Sequence, residues 1–341
     1  MNNKSNWVDC SKAIGIVLVV YGHVARGVYN SGINVSVRWY GLIDSVVYSF
    51  HMPLFFFLSG LFFLKTLERR GSIGLLKSKI DTIVYPYVLW SVLQGCMEVA
   101  LSNYTNGNVR FGDVLTLFWE PRAQFWFLYA LFLVFFACDV FFSVFSLKSS
   151  YALFIISVVL YLVQGYLPDV LLFEYLAQGL VFFMFGVLFT LHVDVKRVSR
   201  RASLLLICLC FVAAQWVFHG YLSLHYTDRG VASLLLAFMS ILFIVGVSGF
   251  VTQFSPGIVL FIGSSSMAIY LMHVIAGSGV RVLLKRVVGV DSFAIHIVVG
   301  CIVGVLAPLT AVYVINRLKI RYVFSAPLSD GVSKILRFNG K

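Results

Sequence analysis

Ten residues separate Lys12 from His23 in the run KAIGIVLVVYGH. On a helix, eleven steps of 100° return to within roughly 20° of the starting direction and rise roughly 16 Å. The two side chains therefore share one face, with the lysine near one end of an apolar segment and the histidine far inside it. An ionisable residue inside a membrane span is costly to keep, and it points to function. Histidine is also the side chain best suited to exchange a proton near neutral pH. The pair describes a catalyst embedded in a membrane, with a fixed positive charge at one surface and proton chemistry deeper in. The sequence has no HExxH or clustered cysteines for a metal, no Walker loop, and no GxGxxG after a strand.

The surrounding composition demands a membrane. The 341 residues are 60% hydrophobic and 12% charged, with a mean hydropathy of +0.93. Soluble domains carry about a quarter charged residues. Thirty-two Phe and seventeen Tyr suit lipid-facing and interfacial surfaces. A net charge of +12 would suggest nucleic acid in a soluble protein; here it fits the lysines and arginines that orient spans, and no nucleic-acid partner is expected. The six cysteines lie scattered in apolar runs, without disulfide or metal spacing. They fit packing roles. No small-residue cleavage site follows the first apolar run, so it is expected to stay as a permanent span.

Windows of about 20 apolar residues place ten helices near 11–29, 42–64, 80–101, 124–146, 151–167, 174–192, 203–220, 231–252, 257–276 and 294–316. The fold class is all-α, a single polytopic membrane domain over residues 1–341. The segment 277–293, with Arg281, Lys285, Arg286 and Asp291, is expected to be an interfacial loop or a short amphipathic helix. Orientation follows the basic residues. With both termini cytoplasmic, 18 of the 26 Lys and Arg fall inside, among them Lys334, Arg337 and Lys341. Eight fall outside: Arg26, Arg38, Arg110, Arg122, Arg229, Arg281, Lys285 and Arg286.

Four segments in this frame carry a resemblance: WVDCSKAIGIVLVVYGH at 7–23, FHMPLFFFLSGLFF at 50–63, QFWFLYALF at 124–132 and MAIYLMH at 267–273. In order and spacing they resemble the acyltransferase-3 family of integral membrane acyltransferases, most closely its fucose 4-O-acetylase-like branch. The resemblance covers nearly the whole chain. It implies transfer of an acyl group, usually acetyl from acetyl-coenzyme A, to a sugar hydroxyl of a surface glycan or its lipid-linked precursor at a bacterial inner membrane. The family often has Arg, ten residues, then His in its first span. Lys12 replaces that arginine, which keeps the charge and loses the planar fork; a phosphate needs only the charge.

Each candidate has two readings. His23 is a general base for the acceptor hydroxyl, or a hydrogen bond that packs helices. His51, roughly 14 Å into the second span, lines the acceptor site or assists His23, or it satisfies a backbone kinked by Met52-Pro53. His273, at the outer end of the ninth span with Tyr270 on the same side, binds substrate or an oxyanion, or belongs to an interfacial belt. Trp126 stacks on a sugar or anchors the interface. Asp9, three residues before Lys12, steadies that lysine or caps the helix. Lys77, Lys79 and Ser264 of GSSSM (263–267) hold the coenzyme's phosphates, helped by a helix N-terminus, or they serve topology. Ser59 and Gly60 suit close helix packing.

The expected protein is thus a membrane O-acetyltransferase, with acetyl-coenzyme A as donor and no metal. The donor would enter from the cytoplasm, and the acceptor from the opposite face or laterally. The rival is a transporter or flippase for glycan intermediates with His23, His51 and His273 as a proton relay. Repeat symmetry and paired broken spans, common in transporters, are not evident in the sequence.

Overall fold

The structure, a computed structural model, describes residues 3–100, 102, 110–254 and 256–329, with side chains from Asn6 onward. Lys334, Arg337 and Lys341, which entered the charge count, lie outside the described residues, as does the side chain of Lys4. All regular structure among the described residues is helical. Among the described residues nine helical stretches are long and apolar enough to cross a membrane, and a shorter apolar one spans Leu147–Leu162. The chain is an all-α, multi-pass membrane protein.

The first helix, α1 (Asn3–Asn30), is the hub. Ile16 and Val20 are fully buried in it. The second span is bent into α2 (Val37–Tyr48) and α3 (His51–Gly60). Pro53 explains the bend, because its ring would clash with the carbonyl four residues back, at Ser49. The third crossing is α4 (Phe63–Lys79) and α5 (Tyr85–Ala100), joined by a π-type turn at Ile80–Val84. Lys65 through Lys79 therefore lie on a helical segment, kinked at Gly71 (φ 66°, ψ 173°), that starts well before the expected third span. After α6 (Phe111–Leu115) come α7 (Trp126–Val144), α8 (Ser150–Leu162) and α9 (Leu171–His192). The short α10 (Val195–Val198) leads to α11 (Arg201–Trp216) and α12 (Val231–Val251), and α13 (Gly257–Ser264), α14 (Ser266–Leu283) and α15 (Phe293–Arg317) complete the bundle.

Helix α1 packs against α3, α12, α13, α14 and α15. On the periphery, α11 buries none of its residues, and Leu205, Leu206, Leu209, Val212 and Trp216 are all more than half exposed. A water-soluble surface rarely shows so large an apolar patch; a lipid-facing one requires it.

The expectation of an interfacial segment at 277–293 is corrected. Helix α14 continues through Arg281 to Leu283, and a π-type turn carries it to Val288. The break falls instead at Ser265, between α13 and α14. Three basic residues lower the hydropathy of this stretch, but Arg281 is buried. His273 consequently sits in the body of its helix, not at its outer end.

Helices α3 and α9 touch backbone to backbone. A Cβ on Gly60 would lie 2.0 Å from the Phe183 carbonyl oxygen, and one on Gly186 would lie 2.1 Å from that of Phe57. Only glycine permits this approach, as the small residues at 59–60 suggest. Gly186→Ala should lower stability by about 1–3 kcal/mol, since overpacking here can be relieved only by moving two backbones. Thermal unfolding in detergent measures this; an unchanged melting temperature for Gly186→Ala would show that α3 and α9 are not in such contact.

Candidate active site

Helices α1 and α14 run parallel, and their facing stripes hold most of the candidate residues. On α1 the stripe is Lys12, Ile16, Val19, His23, Arg26 and Asn30, spaced by three and four residues. On α14 it passes through Ser266, Tyr270, His273, Gly277 and Arg281. The seam holds two cavities, separated by one helical turn.

The inner cavity, about 350 Å³, is lined by Lys12, Ile16, Val19, Met52, Ser59, Lys79, Thr82, Ser264, Ser266 and Tyr270, together with a wall of apolar side chains. Its charge sits at the end expected to face the cytoplasm. Lys12 Nζ lies 3.2 Å from Asp9 Oδ1, so the aspartate steadies the lysine while both stay partly exposed. Lys79 Nζ stands 4.0 Å above the Phe135 ring, a cation–π contact that holds the ammonium at the cavity wall. Ser264 closes α13, its hydroxyl donating to the Phe261 carbonyl, and α14 starts two residues later at Ser266. The first N–H groups of α14 therefore lie at the same wall. Gly263 packs on α1 so closely that a Cβ would be 1.7 Å from the Asp9 carbonyl oxygen.

The outer cavity, about 220 Å³, is lined by His23, Arg26, Asn30, His273, Ser278 and Arg281, among others. The His23 and His273 rings meet edge to face with centroids 5.1 Å apart. His273 Nδ1 lies 2.8 Å from the Tyr270 carbonyl oxygen and 3.0 Å from that of Ile269. A carbonyl can only accept, so Nδ1 carries the hydrogen and Nε2 keeps its lone pair. That Nε2 is buried without a partner, and it is poised to take a proton from a hydroxyl.

His51 makes the same kind of bond, from Nδ1 to the Val47 carbonyl at 2.8 Å. Val47 lies just before the bend that Pro53 imposes, so His51 serves the interrupted backbone. The ring is 1% exposed, packs edge-on against Tyr48 with centroids 4.4 Å apart, and lines neither cavity. Tyr270 walls the inner cavity, with its hydroxyl donating to the Gln124 carbonyl at the foot of α7. Trp126 stacks on Tyr175 at 6.0 Å and, like Lys77, lines neither cavity.

Sequence reasoning missed the residues beside His23, having counted Arg26 and Arg281 only as topology charges. Arg26 reaches Asp44 with two hydrogen bonds of 2.9 Å. Its guanidinium lies 3.3 Å above the centre of the Tyr48 ring, and it donates to the Tyr226 hydroxyl at 2.9 Å. This latch ties α1 to α2 and to the loop before α12. A signal was present: Arg26 is three residues beyond His23, on the Lys12 face.

A family model described as an acyltransferase domain matches residues 5–313. A nodulation protein, NolL of Sinorhizobium fredii, is 29% identical over 219 residues, which is 62% of this chain and 58% of that protein. The matched region thus covers less than two thirds of NolL. No solved structure matches the chain.

Removing one partner of the partly buried Arg26–Asp44 pair leaves the other without its counter-charge, whereas removing both does not. Asp44→Ala should therefore destabilise the protein more than the Arg26→Met/Asp44→Ala double variant. A coupling energy of roughly 1–3 kcal/mol is expected from a double-mutant cycle of thermal unfolding. Additive effects would mean that the latch does not form.

Proposed function

The chain belongs to the acyltransferase-3 family of membrane acyltransferases, and we propose that it moves an acetyl group from acetyl-coenzyme A to a hydroxyl of a cell-surface glycan or its lipid-linked precursor, at a bacterial inner membrane. The observation that carries this reading is the placement of two histidines, one with an unpartnered buried Nε2, one helical turn from a cavity whose far end is basic. That cavity is within the size range of small-molecule sites and suits an acyl–pantetheine arm, with the nucleotide phosphates toward Lys12, Lys79 and the start of α14.

The chemistry follows from these positions. The acceptor hydroxyl, in the outer cavity, gives its proton to an imidazole Nε2 of the His23–His273 pair as its oxygen attacks the thioester carbonyl. The carbon–sulfur bond breaks, coenzyme A leaves as thiolate, and the imidazolium returns the proton to sulfur. Base and thioester approach from opposite cavities, which favours direct transfer. Tyr270, anchored through its hydroxyl, then acts as a wall that sets the depth of the thioester.

Support also comes from the NolL similarity, which joins the chain to a protein named for nodulation. In proteoliposomes supplied with acetyl-coenzyme A and a glycan extract, His23→Ala should cut coenzyme A release by about 10²–10⁴-fold, the usual effect of losing a general base. His273→Ala should act similarly, with the double variant little worse than either single one if the two rings work as a unit. Near-normal turnover in purified, folded His23→Ala would defeat the assignment.

The charge at Lys12 gives a separate check. Lys12→Ala should weaken acetyl-coenzyme A binding by about tenfold or more, and Lys12→Arg should change it little, because pairing with a phosphate depends on charge before fork geometry. Equal donor affinity in wild type and Lys12→Ala, measured by calorimetry, would remove Lys12 from the donor site.

A further inference from the structure

Arg281 is the outer cavity's unexplained charge. It is 9% exposed and lines the cavity with His23, Asn30, His273 and Ser278. The other arginine there, Arg26, is neutralised by Asp44; no carboxylate pairs with Arg281 among the described residues. A buried guanidinium without a counter-charge is costly, and it has five N–H donors to satisfy.

The cavity is built around it. A Cβ on Gly27 would lie 2.3 Å from Arg281 Nη1, so α1 makes room for the guanidinium by having no side chain at that point. Helix side chains lean toward the N-terminus, which brings the charge back along α14 toward His273, eight residues earlier. Holding the end of α1 is largely the work of other groups. Ser31 N and Oγ donate to the Val28 carbonyl, Gly32 N donates to that of Tyr29, and Lys285 Nζ donates to that of Ser31.

We propose that the outer cavity binds an anionic group of the acceptor, a phosphate or a carboxylate, on Arg281, so that a hydroxyl on the same acceptor is presented to His23 and His273. This rests on the acyltransfer reading above and narrows the acceptor to anionic molecules. The anion has two sources: the phosphate of a lipid-linked sugar, or a carboxylate on the sugar itself. A guanidinium fork matches either with two parallel hydrogen bonds.

The test uses the full chain in detergent, in a Lys12→Ala background that removes the inner cavity's phosphate-binding charge. Inorganic phosphate and acetate are titrated against chloride at constant ionic strength, with thermal unfolding as the readout. Saturable stabilisation by phosphate or acetate is expected, at least tenfold weaker in Arg281→Gln and intermediate in Arg281→Lys, which keeps the charge and loses the fork. Response to phosphate alone assigns a phosphate-bearing acceptor; response to acetate alone assigns a carboxylate-bearing sugar. Without anion, Arg281→Gln should melt at or above the parent temperature, because an unpaired buried charge has gone. A lower melting temperature with the anion response intact would make Arg281 a strut for α1 and overturn the proposal. So would the lack of any Arg281-dependent response to either anion. Coenzyme A release by the wild-type protein is a separate readout: its failure, with the anion response present, would sink the acetyl-transfer reading and leave the anion site standing.

Discussion

A polar side chain in hydrocarbon must turn to a cavity, a partner or a carbonyl, because no water is there to receive it. The bundle is organised around that requirement. Along the seam between α1 and α14, each polar residue has one of those three outlets. Lys12 has Asp9 and the inner cavity, and Arg26 has Asp44 and two tyrosines. His273 has two carbonyls on one side of its ring and open space on the other. The lipid-facing helices, α11 above all, carry apolar side chains and leave this chemistry to the interior.

The seam also separates two chemically different environments. The inner cavity is mostly apolar with a basic end. The outer cavity is smaller and its polar lining is imidazole, guanidinium, amide and hydroxyl groups. Only the turn from Val19 to His23, and its counterpart from Tyr270 to His273, lies between them. The His23 and His273 rings stand at that level, on the outer side of the turn.

Breaks in helices set the level at which these groups stand. Pro53 forces the α2–α3 bend, and the bend turns His51 back onto Val47. That uses one ring nitrogen on the backbone, and the edge of the ring is filled by Tyr48. At Ser265 the chain restarts as α14, which lines up Ser266 with Lys12 and His273 with His23. Gly263 lets α13 lie directly on α1, so the break is locked against the hub helix.

The membrane class, the all-α fold and the shared Lys12–His23 face were legible in the sequence, because these depend on composition and on helical period alone. The close packing at Gly60 was legible for the same reason: a small residue in a span has few other uses. Which histidines meet was a tertiary matter. His273 pairs with His23 because Ser265 interrupts the ninth apolar run, and hydropathy averaged over about 20 residues cannot see a one-residue break. Spacing left His51 either lining the acceptor site or satisfying the kinked backbone, and only the fold shows its Nδ1 on the Val47 carbonyl. Arg26 and Arg281 looked alike as outer basic residues. Only the packing of α2 against α1 supplied Asp44 to the first, and only the burial of α14 left the second charged beside the histidines. Partners distant in sequence, such as Arg26 with Tyr226, are created when the chain closes on itself, and no local spacing records them.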